Sequence, residues 1–233
     1  MAGGKRNGVV GVAVVLVLIA TVGSPAQSGE EARINDAVTI LGEITSAPDG
    51  GIPRSILDKA EAIAVFPGVI RAGLGLGGQR GHGVISVRNR ASGTWSAPAF
   101  LTITGGSFGM QIGAQSIDLI LVIMDPTGVQ RLLGNQFKLG GEASVAAGPV
   151  GRSAEAATDL QMRAKILSYS RSRGLFAGIA LNGSTMRADV DANERFYGQR
   201  YRSRDVVDKA SARADLPAAA GKLRKTLGDL APR

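Results

Sequence analysis

The sequence predicts an α+β fold: one compact domain with a curved, glycine-rich, mostly antiparallel sheet, flanking N-terminal helices and a C-terminal helical tail. Three observations predict it. Glycine supplies 33 of 233 residues, about twice the usual share. Short apolar runs with two-residue alternation fill the middle of the chain, the period of an extended strand. Helical spacing is concentrated towards the two ends.

Taken in order, Glu30 to Ile44 carries Ile34, Val38, Leu41 and Ile44 at spacings of four and three, which predicts a helix. Glu30 and Glu31 suit its positive N-terminal end, and Pro48-Asp49-Gly50-Gly51 breaks it. Pro53 opens a second helix at a favoured first position, with Ile56, Leu57 and Ala60 on its buried side. Ile63 to Phe66 is a short buried strand stopped by Pro67-Gly68. Beyond it, Gly73, Gly75, Gly77, Gly81 and Gly83 fall on odd positions with Ala72, Leu74 and Leu76 between them. One face of that strand therefore lacks side chains, so a backbone, a ring or a ligand can come close, or the sheet can curve tightly.

Val84–Arg88 continues as a strand to a turn at Asn89–Gly93. The lone tryptophan follows in Thr94-Trp95-Ser96-Ala97-Pro98. Phe100 to Gln115 reads as a second glycine-rich pair of strands, and Ile117 to Met124 as a central strand ended by Asp125-Pro126. Val129–Leu133 predicts a short helix. Strands are expected over Phe137–Val150, Ala164–Ser170 and Leu175–Leu181. Asn182-Gly183 signals a hairpin into Ser184–Val190. Capping-box spacing from Asp191 to Glu194 predicts a helix starting near Phe196-Tyr197-Gly198. In the tail, Leu216, Ala220, Leu223, Leu227 and Leu230 share one helical face, with Lys222, Arg224 and Lys225 off it.

The net charge of +8 is uneven. Residues 27–194 hold 15 basic and 15 acidic side chains, and residues 195–233 hold 10 basic against 4 acidic. The mature excess therefore sits in the tail, where attraction to an anionic surface begins. Lys5 and Arg6 precede an apolar run from Val9 to Val22, and Ser24-Pro25-Ala26 supplies small residues after it. This is a secretory signal pattern, shorter than the ~20 residues of a spanning helix. Cleavage of the segment and its retention as an anchor both fit. The expected organisation is a signal peptide over 1–26, a domain over 27–200 and a basic amphipathic tail over 201–233. The expected location is exported, periplasmic or extracellular. The absence of cysteine excludes disulfides and a lipidated cysteine.

Motifs for chemistry are sparse. Gly73-x-Gly75-x-x-Gly78 spells a dinucleotide fingerprint, but that motif needs a helix directly after it, and here a strand follows. His82, the sole histidine, cannot form a multi-histidine metal site. It reads as an exposed or backbone-bonded imidazole with a secondary role as an anion contact. Asp118 and Asp125 bound the apolar strand at odd spacing, on opposite faces, as strand-end or turn-capping groups. Neither a nucleophile elbow nor an acidic cluster stands out, so an enzyme, a metal or a cofactor is not expected. Aromatic content of 4% leaves few platforms for nucleic acid. Arginine beside bare backbone N–H groups suits phosphate oxygens.

Ile52-Pro53, A-I-A-V-F-P-G-V-I-R-A-G from Ala62, Trp95-Ser96-Ala97-Pro98, Gly141 with A-A-G-P-V-G-R, S-Y-S-R-S-R-G-L-F-A-G and Asn193-x-x-Phe196-Tyr197-Gly198 occur in an order that resembles SYLF domains. These are the lipid-binding domains of yeast Las-seventeen-binding proteins and their bacterial relatives. The resemblance spans about residues 31–200. It implies a non-enzymatic module that binds phosphoinositides or other anionic phospholipids at a membrane surface, with actin binding in some eukaryotic members. Actin is not expected for an exported protein. Lipid contacts are carried over to Arg71, Arg80, Arg88 and Arg173, with Lys59, Lys138 and Arg171 added. One departure is the first helix: family members in eukaryotes make it basic, and here Glu30, Glu31, Asp36 and Glu43 make it acidic. The alternative is a structural or protein-interaction module of the cell envelope with no lipid ligand.

Overall fold

The computed structural model describes residues 29–46, 51–134, 136–151, 163–172, 175–181 and 183–232. The leader segment and Arg173 lie outside them. Helix α1 (Gly29–Ser46) and a single turn α2 (Arg54–Leu57) lead into β1 (Ala62–Val87) and β2 (Ala99–Ile123). After these come α3 (Pro126–Leu132), β3 (Gln136–Lys138), β4 (Val145–Ala147), β5 (Ile166–Ser172), β6 (Leu175–Gly178) and β7 (Ser184–Ala188). Helices α4 (Val190–Tyr197), α5 (Ser203–Asp208) and α6 (Ala218–Leu230) complete the chain. The described strands form one sheet in the order β3-β7-β2-β5-β4, with β1 on β2 and β6 on β5. Among the described strand pairs only β4–β5 is parallel.

The short strands expected around the glycine run are pieces of two long ones. β1 has 26 residues and β2 has 25, paired antiparallel along nearly their whole length. Pro67-Gly68 does not end the first strand. It makes a bulge between Phe66 and Val69, where Gly68 turns to φ 61° and its N–H donates to Asp118 Oδ1 at 2.9 Å. A second bulge sets Gly109–Gln111 of β2 against Gly75 alone. Bulges bend and twist a ribbon, and this ribbon folds back on itself. A Cβ on Gly81 would stand 2.7 Å from Val69 Cγ2, and one on Gly83 would overlap the Phe66 ring and the Val65 carbonyl. The bare odd-numbered face thus receives the strand's own beginning. Closure is completed where Arg88 N–H donates to Glu61 O and Glu61 N–H to Ile123 O, both at 2.8 Å.

Inside this curl lie Phe66, Val69, Leu101, Ile103, Leu119 and Ile85, all fully buried. Helix α1 seats Ile34, Ala37, Leu41 and Ile44 against β1 and α6, which answers with Leu223, Leu227 and Leu230. The last helix is therefore packed into the domain. Two local expectations change. Strands β6 and β7 flank Asn182-Gly183 without pairing to each other: β6 joins β5, and β7 joins β2 and β3. Gly183 has the left-handed φ of 84° such a turn wants, but β2 and β3 compete successfully for the ladder. Phe196-Tyr197-Gly198 ends a helix instead of starting one. Asp189 caps α4 by accepting from Ala192 N–H at 3.1 Å, and Gly198 stops it at φ 71°. That helix is fixed on β2 by Asn193, whose amide oxygen accepts from Phe100 N–H at 2.9 Å, and by Tyr197, which donates to Pro98 O at 2.6 Å.

If close passage of the ribbon requires bare glycine, Gly83→Ala lowers stability in urea by at least about 2 kcal/mol. Gly228→Ala, on a helix face where a Cβ meets nothing within 4 Å, raises it by about 0.5–1 kcal/mol. Equal effects of the two in equilibrium denaturation would contradict the folded-ribbon account.

Candidate functional site

Because Gly81 lies on Val69, the two limbs of β1 stand side by side, and the start of α1 leans on both. Between them is a groove of about 470 Å³ lined by Arg33 and Asp36 of α1 and by Ile70, Arg80 and His82 of β1. Strand alternation puts Ile70, Arg80 and His82 on the outer side. Ile70 is 59% exposed.

Charge in the groove is arranged around Asp189. Its Oδ2 lies 3.6 Å from Arg33 Nη1 and 3.5 Å from His82 Nδ1, while Oδ1 caps α4. The Arg33 guanidinium also stands 5.3 Å from the centre of the Phe100 ring. One carboxylate therefore serves two basic groups and a helix end. Arg80 is exposed and makes no ion pair among the described residues. Asp36 remains at the rim as an opposing charge. The groove's two guanidiniums therefore differ: Arg80 is exposed and Arg33 is partly shielded.

The other residues named from the sequence go to different places. Arg88 is 4% exposed and lies 4.8 Å from the Trp95 ring centre. It donates to the carbonyls of Leu57 (3.1 Å), Asp58 (3.2 Å) and Ala231 (2.9 Å). It ties the end of α2 to the end of α6, and it lines a different groove from Arg80. Arg171 pairs with Asp118 at 2.6 Å and with Glu43. Arg71 is half-buried on the inner side, its Nε without a hydrogen-bond partner. Burial pulls its pKa below the usual arginine value. Lys59 is exposed in the turn after α2, and Lys138 is exposed on β3 with its stem near Gly141. Arg173 falls outside the described residues.

Arg33 and Ile70 were not singled out from the sequence. The signal that hid Arg33 was the acidic character of α1. In the fold much of that acidity is answered internally: Glu30 receives Arg195 at 2.7 Å, and Glu43 receives Arg171. Asp118 and Asp125 behave as strand-end groups. Asp118 accepts from Gly68 N–H, and Asp125 caps α3 through Thr127 N–H at 3.1 Å and pairs with Lys165 at 3.2 Å. Among the described residues, no three metal-ligating side chains come together, and no helix is long and apolar enough to cross a membrane.

The described residues thus form a curled antiparallel ribbon clasped by an N-terminal and a C-terminal helix, with a small groove that brings Arg33, Arg80 and His82 together. Residues 104–230 match the model of the Ysc84 family, described as Las17-binding protein actin regulator. The rat SH3 domain-containing YSC84-like protein 1 is 35% identical over 190 residues, 79% of this chain and 55% of that protein. Protein YSC84 of Saccharomyces cerevisiae is 35% identical over 182 residues, 77% of this chain and 38% of the yeast protein. This chain belongs to the Ysc84, or SYLF, family. It spans about half the length of the mammalian relatives it matches.

Loss of Arg88 leaves the buried hydrogen bonds to the Leu57 and Ala231 carbonyls, and the part-buried one to Asp58, unmade. Arg88→Leu is expected to lower unfolding stability by about 3 kcal/mol. Arg80→Gln is expected to change it by less than about 0.5 kcal/mol. Urea midpoints of the two variants check this division between a structural and a surface arginine.

Proposed function

We propose that this chain is a non-enzymatic module that binds anionic phospholipid headgroups at a membrane surface, and that it acts as an exported protein. The observation that carries the reading is that Arg80, exposed and without an ion pair among the described residues, stands with an exposed Ile70 in one groove. A guanidinium offers forked donors to phosphate oxygens, and an apolar neighbour suits the boundary between headgroup and acyl chain. Membership of a family described as regulatory and binding proteins agrees with a role without catalysis. Export rests on the leader pattern of residues 1–26.

The tail adds long-range attraction. Residues 195–233 hold 10 basic and 4 acidic side chains. Several of the basic ones are locally paired, Lys209 with Asp205, Arg213 with Asp215 and Lys225 with Asp229. Each pair cancels one charge of either sign, and the excess of basic over acidic side chains keeps the field of the tail positive. Each cation near an anionic surface adds about 1 kcal/mol before screening.

Co-sedimentation with vesicles of phosphatidylcholine and increasing phosphatidylglycerol tests the reading. Binding should rise with the anionic fraction and fall with added salt. Arg80→Glu reverses one charge, about 2 kcal/mol at the surface, and should weaken association roughly 10- to 30-fold in a protein that unfolds like the wild type. Binding indifferent to salt, lipid charge and Arg80 would reject the mechanism.

A further inference from the structure

The sheet continues outward from Arg80. The register aligns Arg80 of β1 with Thr104 of β2, Thr185 of β7 and Lys138 of β3. Two residues along, His82 aligns with Thr102, Arg187 and Gln136. Cross-strand partners share a face, so the two rows form one four-stranded patch. The row between them, Gly81, Ile103, Met186 and Phe137, is buried on the opposite side. In the patch itself Thr102 and Thr185 are half-buried and the other residues are exposed.

The charge of this face is one-sided. Arg80, Arg187 and Lys138 stand on it, and no carboxylate occupies either row. None of the three makes an ion pair among the described residues. Cations elsewhere are answered: Arg90 by Glu61, Arg171 by Asp118 and Glu43, Arg195 by Glu30. Carboxylates reach the patch at its borders. Asp189 lies beside His82, Asp36 stands at the groove rim, and Glu142 Oε1 accepts from Lys138 N–H at 3.3 Å. Opposite charges set across from each other stabilise a sheet face in water. Here Arg187 faces Thr102 and Gln136, and its diagonal neighbour is Lys138. Folding gives no reason for that choice.

We propose that this sheet face lies on an anionic membrane, with Arg80, Arg187 and Lys138 each taking a separate lipid phosphate and the threonine hydroxyls donating between them. The proposal rests on the headgroup reading above and adds the docking face. At ~4.8 Å between strands and ~3.3 Å per residue, the backbone at Arg187 stands about 8 Å from Lys138 and about 12 Å from Arg80. Lys138 and Arg80 are three strands apart, about 14 Å. Charges spread in this way suit several phosphates of a surface better than one compact anion. The two rows carry no phenylalanine, tyrosine, tryptophan or aliphatic side chain. Such groups anchor protein partners, and aromatic ones stack nucleic-acid bases. Exposed Ile70, in the groove with Arg80, adds an apolar contact at one edge.

The double variant Arg187→Gln/Lys138→Gln removes two cations, each worth about five-fold at an anionic surface. It should keep the wild-type urea midpoint and bind phosphatidylglycerol-containing vesicles roughly 20- to 30-fold more weakly, with a flatter salt dependence. The chain has no cysteine, so Thr104→Cys carries a single nitroxide. On vesicles this label should lose most of its accessibility to a water-soluble nickel chelate. A label at Ser55→Cys, exposed on α2, should keep it. Wild-type vesicle affinity in the double variant, with Arg80→Glu weakened, overturns the docking face and leaves the headgroup reading standing. Equal responses of the two labels also overturn it. Binding of soluble poly-glutamate that the double variant loses, with vesicle binding kept, assigns the face to an acidic protein and overturns the membrane contact. Failure of the wild type to bind any vesicle overturns the headgroup reading, and the docking face with it.

Discussion

The fold depends on one close approach: the end of β1 lying across its own beginning, with Gly81 on Val69 and Gly83 on Phe66 and the Val65 carbonyl. A strand of 26 residues is far longer than an ordinary strand. It survives in one domain because two bulges and a side-chain-free face let it curl until Glu61 and Arg88 hydrogen-bond. The core is then the inside of a single folded ribbon, closed by α1 and α6. The groove follows from the same event, since only the doubled ribbon sets Ile70 beside Arg80.

Charge is divided between architecture and surface. Arg88 joins α2, α6 and Trp95 from a buried position, and Arg171 links β5 to β2 and α1 through two carboxylates. These arginines hold the domain together. Asp189 draws Arg33 and His82 to the groove wall while capping α4. What the fold leaves at the mouth of the groove is Arg80. Guanidiniums near the core find carboxylates or carbonyls because desolvating a charge without a partner is costly.

The candidate site was half legible. Arg80 and the glycine run were visible as a cation beside bare backbone. Naming Arg71, Arg80 and Arg88 together as lipid contacts treated neighbouring positions in sequence as neighbours in space. Strand alternation separates Arg71 from Arg80 onto opposite faces, and Arg88 lies beyond the ribbon among the helix ends. Arg33 was hidden for the converse reason: its helix looks acidic until Glu30 and Glu43 are seen to pair with Arg195 and Arg171.

By itself the sequence determined the periodicities: helical spacing in α1 and α6, two-residue alternation through the middle, and the glycines that permit tight curvature. It also determined the family, through ordered motifs such as Trp95-Ser96-Ala97-Pro98 and Asn193-x-x-Phe196-Tyr197-Gly198. The tertiary structure alone decided that the short strands around the glycines are two long ones, and that the strands flanking Asn182-Gly183 part company. It alone decided which arginines face solvent. Local pattern reports which face a residue can occupy. Partner choice in a ladder, and the burial of a charge, depend on groups up to a hundred or more positions away, and those meet only when the ribbon closes.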